Sequence, residues 1–201
     1  MVQSSPLAFL QPQVSVRQQG DDLIIENPTP LADCPDNLAA WLRLNAARFP
    51  DKLLIAQRDV QGEWRGPTWG EALAQVNRLT NGLLAHGMDG SRPLAIMSEN
   101  SVEMALVQLA AMQVGIAVAP ISYAYSTLSA SGEYIKHILD VTGAPMVAMS
   151  DADIHMPKLR QWDLSGVALY AVSHAERHPG VRPLAALELG GDTLSPLGER
   201  R

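Results

Sequence analysis

Lysine is nearly missing from this sequence: only Lys52, Lys136 and Lys158 occur in 201 residues, and none follows a glycine-rich turn. No G-x-x-x-x-G-K-[ST] run and no G-x-G-x-x-G run occurs, so neither common glycine cradle for nucleotide phosphates is present. The G-x-S-x-G turn that would present a nucleophilic serine is missing too. Cysteine is reduced to Cys34, which excludes a disulfide within the chain and fits a reducing, cytoplasmic compartment. In the polar turn ADCPDN that thiol is read as a turn residue and not as a nucleophile. Blocks of like charge are absent and the net charge is −6, so no nucleic-acid partner is expected.

Long apolar runs are scarce as well. The longest, VEMALVQLAAMQVGIAVAPI (102–121), approaches the length of a membrane span but holds Glu103, Gln108, Gln113, Gly115 and Pro120. A buried helix followed by a buried strand explains it better, and no membrane association is expected. The first twenty residues lack a basic start followed by an apolar core, so no signal peptide is expected either.

What is present is a regular alternation. Residues 1–35 are rich in Gln, Ser, Pro and Asp, and read as a loose arm with one short strand at LIIEN (23–27). Asp36 is expected to cap a helix carrying Leu38, Trp41, Leu42 and Phe49 near one face, with Pro50 as its stop. KLLIAQRD and EWRGPTW, joined through Gln61 and Gly62, predict an antiparallel hairpin over 52–66. TWGE (68–71) is a capping-box pattern, with Thr68 and Glu71 able to satisfy two backbone N–H groups reciprocally. The helix it opens carries Leu73, Val76, Leu79, Leu83 and Leu84.

Strands are then expected at 92–98, 116–121, 145–150 and 166–172, with helices at 102–114 and 131–143 and a short helix or turn after 150. Such repetition with short links predicts an α/β fold: a mostly parallel sheet flanked by helices, with a small antiparallel hairpin. The arm (1–35), the α/β subdomain (36–175) and a weakly structured end (176–201) are the expected divisions.

Four clusters bear on chemistry. The SENS turn joins a strand to a helix N-terminus, a natural place for an anion, and offers Ser98 and Asn100, though capping alone selects the same residues. The SYAYS loop offers Ser122, Tyr123 and Tyr125, which would either line a pocket or pack the next helix. HAERH places His174 and His178 four apart, but Ala175 stands where H-E-x-x-H has its glutamate, and Pro179 and Gly180 follow at once. DADIH offers Asp151, Asp153 and His155 without the glycine and distant glutamate of an EF-hand, and Asp151 as a helix cap explains as much. No metal set and no catalytic residue is assigned.

Taken together, residues 36–150 resemble the N-terminal region of AMP-forming acyl-CoA synthetases, the adenylate-forming superfamily. PTWGEAL (67–73) is similar to the family's early LTYxEL motif, and QVGIAVAPIS (113–122) to its KAGAAYVPLD-type motif. MSENSVEMALVQLAAM together with PISYAYS looks closest to the feruloyl-CoA synthase branch, which activates hydroxycinnamic acids. The resemblance implies ATP, Mg²⁺ and CoA for the full-length enzyme, and an acyl-adenylate that CoA then converts to a thioester. In the family a Ser/Thr/Gly-rich loop ending in P-K-G and a mobile C-terminal domain with a catalytic lysine do this work, and neither occurs in these 201 residues.

The chain is therefore expected to be a truncated N-terminal fragment, inactive alone and without a cofactor of its own. Its partner would be the missing C-terminal portion of the ligase, or a second copy meeting an uncovered apolar face. One half of a split ligase, or a non-catalytic small-molecule-binding or interaction module, are the alternatives.

Overall fold

The computed structural model describes residues 13–35 and 37–191. They fall into two compact units that divide between Cys34 and Pro35.

The first unit is an antiparallel hairpin of β1 (Ser15–Gln19) and β2 (Asp22–Glu26), paired with Val16 opposite Ile25 and Gln18 opposite Leu23. Gly20 makes the turn in the left-handed region, which a side chain would resist. Two strands thus stand where the sequence reading placed one. Val16 and Ile25 share one face by their opposed register, and both are more than half exposed.

The second unit opens with α1 (Leu38–Arg48). Asn37, not Asp36, is its cap: the Asn37 carboxamide oxygen accepts from the Ala40 backbone N–H at 2.8 Å, and Asp36 lies outside the described residues. The buried face also differs from expectation. Ala39, Leu42 and Ala46 turn inward while Leu38 and Trp41 stay exposed. The two alanines let the helix backbone approach its neighbour, which bulky residues on that face would prevent.

β3 (Gln57–Arg58) and β4 (Trp64–Arg65) form the expected small antiparallel hairpin, extended by an isolated bridge between Leu53 and Thr68. α2 (Trp69–Ala85) starts on the complete capping box: Glu71 accepts from the Thr68 N–H at 2.8 Å, and the Thr68 hydroxyl accepts from the Glu71 N–H at 3.3 Å.

The remaining elements are β5 (Leu94–Met97), α3 (Val102–Met112), β6 (Val118–Ile121), α4 (Tyr123–Thr127), α5 (Glu133–Thr142), β7 (Met146–Asp151), α6 (Ala152–Leu159), β8 (Ala168–Ser173) and β9 (Val181–Pro183). The five strands β5 to β9 make one parallel sheet in the order β6-β5-β7-β8-β9. The fold is therefore the α/β class expected, with one strand more. β9 and the 3₁₀ turn Leu184–Leu187 occupy a stretch expected to be weakly structured, and Leu187 is fully buried.

Period-two alternation divides the sheet between two cores. Leu94, Ile96, Met146, Ala148 and Tyr170 point into the core shared with α2 and α3. Ala95, Met97, Val147, Met149 and Ala171 point into the core shared with α5 and α6. Both faces are covered, which is why these strands read as continuous apolar runs in the sequence.

Candidate functional site

The strand order reverses at β5, since the chain leaves it toward β6 and returns past it to β7. In parallel α/β sheets the crevice beyond the carboxyl ends of the strands at such a reversal is where ligands bind. A cavity of about 340 Å³ lies there, over the ends of β5 and β6, with Ile55, Gln57, Ser98, Asn100, Pro120 and Ile121 among its lining residues.

The turn out of β5 forms because Ser98 donates its hydroxyl hydrogen bond to the Glu99 carbonyl, and Ser101 then caps α3 by accepting from the Met104 N–H at 3.2 Å. A further donor of that helix end is already taken: the Gln57 side-chain oxygen accepts from the Val102 N–H at 2.9 Å. Gln57 belongs to β3, forty-five residues upstream, and nothing in its local sequence marks it as a cap. Two of the backbone donors at that helix end are thus taken by the protein's own side chains. Asn100 is exposed at the cavity wall.

Ser98 and Asn100 stand in the cavity lining; Ser122, Tyr123 and Tyr125 do not. The SYAYS segment, expected to be a loop, is the short helix α4, with Ser122 at its N-cap position and no side-chain capping bond there. Tyr125 stacks on Tyr134 with ring centroids 5.0 Å apart and packs against the second core. Tyr123 meets the His155 ring edge-on at 5.8 Å. His155 has no exposed surface, lies 2.8 Å from the Ser126 hydroxyl, and is held neutral because burial pushes its pKa down to about 4. The two tyrosines thereby lock α4 to α5 and α6.

Charge decides what the cavity can hold. Its described lining has one carboxylate, Glu99, and no cationic side chain. A neighbouring cavity of about 500 Å³ beside α2 does contain Arg65 and Arg78, but each is bound to a carboxylate of this chain. Arg65 lies 2.5 Å from Asp59 and, with backbone N–H groups, holds that carboxyl below the usual carboxylate range; Arg78 lies 2.9 Å from Glu188. The lysines are committed elsewhere: Lys52 lies over the Phe49 ring, Lys136 pairs with Asp140, and Lys158 donates to the Ala130 carbonyl. Clustered free donors and cations, which a triphosphate with its Mg²⁺ requires, are not found among the described residues of either cavity. The groups present do not fit ATP·Mg²⁺.

A parallel five-stranded sheet flanked by helices, with its crevice at the β5 reversal, defines the class: the N-terminal domains of adenylate-forming enzymes share this architecture. The chain belongs to the AMP-binding enzyme family, whose model matches residues 42–188.

It is similar to a Rhodopseudomonas palustris protein of solved structure assigned as a long-chain-fatty-acid CoA ligase, with 26% identity and a TM-score of 0.58 over 76% of this chain and 36% of that one. The fold is shared with the N-terminal domain of FACL13 from Mycobacterium tuberculosis, at 20% identity and a TM-score of 0.59, covering 81% of this chain and 39% of that one. A curated relative, the long-chain-fatty-acid–CoA ligase FadD15 of Mycobacterium bovis, is 30% identical over 137 residues. That match takes in 68% of this chain and 22% of the relative's length.

Proposed function

We propose that this chain supplies the N-terminal wall of an ATP-dependent acid–CoA ligase and does not itself carry the adenylation site. The observation that supports this is the cavity at the carboxyl ends of β5 and β6, which has ligand-sized volume but no cation in its described lining, within a family-matched segment. In the complete reaction a carboxylate attacks the α-phosphate of ATP, pyrophosphate leaves, and the CoA thiol then displaces AMP. Negative charge develops on phosphate and carbonyl oxygens at both steps, and stabilising it needs clustered free donors and cations that the described lining of the two cavities does not offer. ATP, Mg²⁺ and CoA belong on this reading to the assembled ligase, and the remaining C-terminal portion of that ligase is the partner.

The acid is proposed to be a hydroxycinnamate such as ferulate. The support is the likeness of MSENSVEMALVQLAAM and PISYAYS to the feruloyl-CoA synthase branch. Relatives named for long-chain fatty acids favour the other class of acid, but the segment aligned with FadD15 is 22% of that enzyme. The test is to mix or fuse this chain with the phosphate-loop and lysine-bearing remainder of a feruloyl-CoA synthase. Ferulate and palmitate are then compared by CoA thioester formation. Thioester from ferulate in the combined protein and none from this chain alone is the expected result. Thioester formed by this chain alone would overturn the assignment, and a preference for palmitate would overturn the choice of acid.

A further inference from the structure

DADIH and HAERH, neither of which carries a metal signature alone, meet at the carboxyl ends of β7 and β8. Asp151 pairs in register with Ser173, so the next residue, His174, begins its turn beside Asp151. His174 is the one non-glycine residue in the left-handed region among the described residues. Its Nδ1 lies 2.9 Å from Asp151 Oδ1 and 3.6 Å from Asp153 Oδ2, and one ligand atom from each of the three residues lies within 4.8 Å of the others.

We propose that Asp151, Asp153 and His174 form a binding site for one divalent transition-metal ion of the zinc type. Around an ion with bonds of about 2.0–2.1 Å, neighbouring tetrahedral ligands sit roughly 3.3 Å apart, and the two measured separations fall on either side of that. One imidazole nitrogen with two carboxylates suits zinc and its neighbours, whereas an all-oxygen set would suit Mg²⁺ or Ca²⁺.

The supporting shell is in place. The Asp153 N–H donates to Asp151 at 2.8 Å, fixing the first carboxylate at the start of α6. Arg177 and His178 Nε2 donate to Asp153 at 2.6 and 2.7 Å, and Arg160 donates to His178 Nδ1 at 2.7 Å, which places the His178 proton on Nε2. Outer partners of this kind orient metal-binding carboxylates. They leave the Nδ1 of His174 against Asp151 Oδ1, where its N–H is the proton that a bound ion would displace. Side-chain exposures of 24%, 38% and 35% for Asp151, Asp153 and His174 leave the site open to entry from solvent. The site stands outside the cavity described above and does not depend on the ligase reading.

The test uses the full chain carrying Cys34→Ala, which removes the exposed thiol as a competing ligand. Zn²⁺ is titrated calorimetrically, and Co²⁺ is followed by its visible absorption. Two variants keep the backbone's needs: Asp151→Asn preserves a capping side chain, and His174→Asn preserves a residue type that tolerates the left-handed conformation. Saturable uptake of one Zn²⁺ per chain is expected. Each variant should lose more than about 100-fold in affinity, beyond the ~10–100-fold that a supporting residue costs. Absence of saturable uptake by the parent chain, or uptake undiminished in the variants, would overturn the site. Should a variant unfold, the Co²⁺ bands of the parent decide: tetrahedral nitrogen–oxygen bands uphold the site, and a spectrum unchanged from free Co²⁺ overturns it.

Discussion

One buried histidine contributes an acid response to the stability of this protein. His155, with a pKa pushed by burial from 6.5 to about 4, stays neutral in the folded chain. The unfolded chain takes up a proton near pH 6.5 that the folded chain refuses until about pH 4. Stability therefore falls as pH drops through that window and this contribution levels off below it. The shift corresponds to about 3 kcal/mol. Urea unfolding with a chelator present, from pH 7.5 to 4, should show this loss, and His155→Leu should flatten the slope whatever it does to the absolute stability. A slope unchanged in the variant would mean that other groups carry the response.

Gly82 gives a second residue-scale prediction. A Cβ there would stand 1.6 Å from the Leu187 carbonyl oxygen, a backbone atom with no rotamer to change. Gly82→Ala should cost roughly 1–3 kcal/mol from the forced shift of this backbone, partly offset by the better helix propensity, read as a lower urea midpoint. Full stability in that variant would show that the 184–187 turn is not held against α2.

At the scale of elements, the capping box is the most local of the stabilising devices. Thr68→Ala should remove about 1–2 kcal/mol, and Glu71→Ala should add little once Thr68 is gone, because the two bonds close the same helix end. A double-mutant cycle in urea measures that coupling, and simple additivity would contradict it.

This box was legible in the sequence because its partners lie three residues apart. The strands β5, β7 and β8 were legible because both faces of each are apolar. β9 was not: VRP is three residues long and becomes a strand only by pairing with Leu169–Ala171. α4 was misread because its five residues show no period of their own, and its shape comes from the Tyr123 and Tyr125 contacts to α6 and α5. Within the candidate site, Ser98 and Asn100 were visible as a strand-end turn, whereas Gln57 reaches Val102 across forty-five residues. The meeting of Asp151 with His174 likewise depends on the β7–β8 register, which neither segment encodes alone.

At the scale of the whole molecule, the apolar residues that stay outside carry the next expectation. Leu38, Trp41 and Leu44 on α1 are 57%, 44% and 56% exposed and place a row of large apolar side chains at the surface of one helix. The isolated chain is expected to self-associate with rising concentration, and Trp41→Glu should shift sedimentation velocity profiles toward monomer. A parent chain that stays monomeric throughout would contradict an uncovered face.

The central proposal, that this chain forms one wall of a ligase and holds no nucleotide site of its own, is tested most directly by calorimetric titration of the 201-residue chain with ATP·Mg²⁺. No saturable heat is expected, because the lining described for both cavities offers no unpaired cation. Saturable binding at one site per chain would contradict the proposal and place adenylation chemistry within these residues.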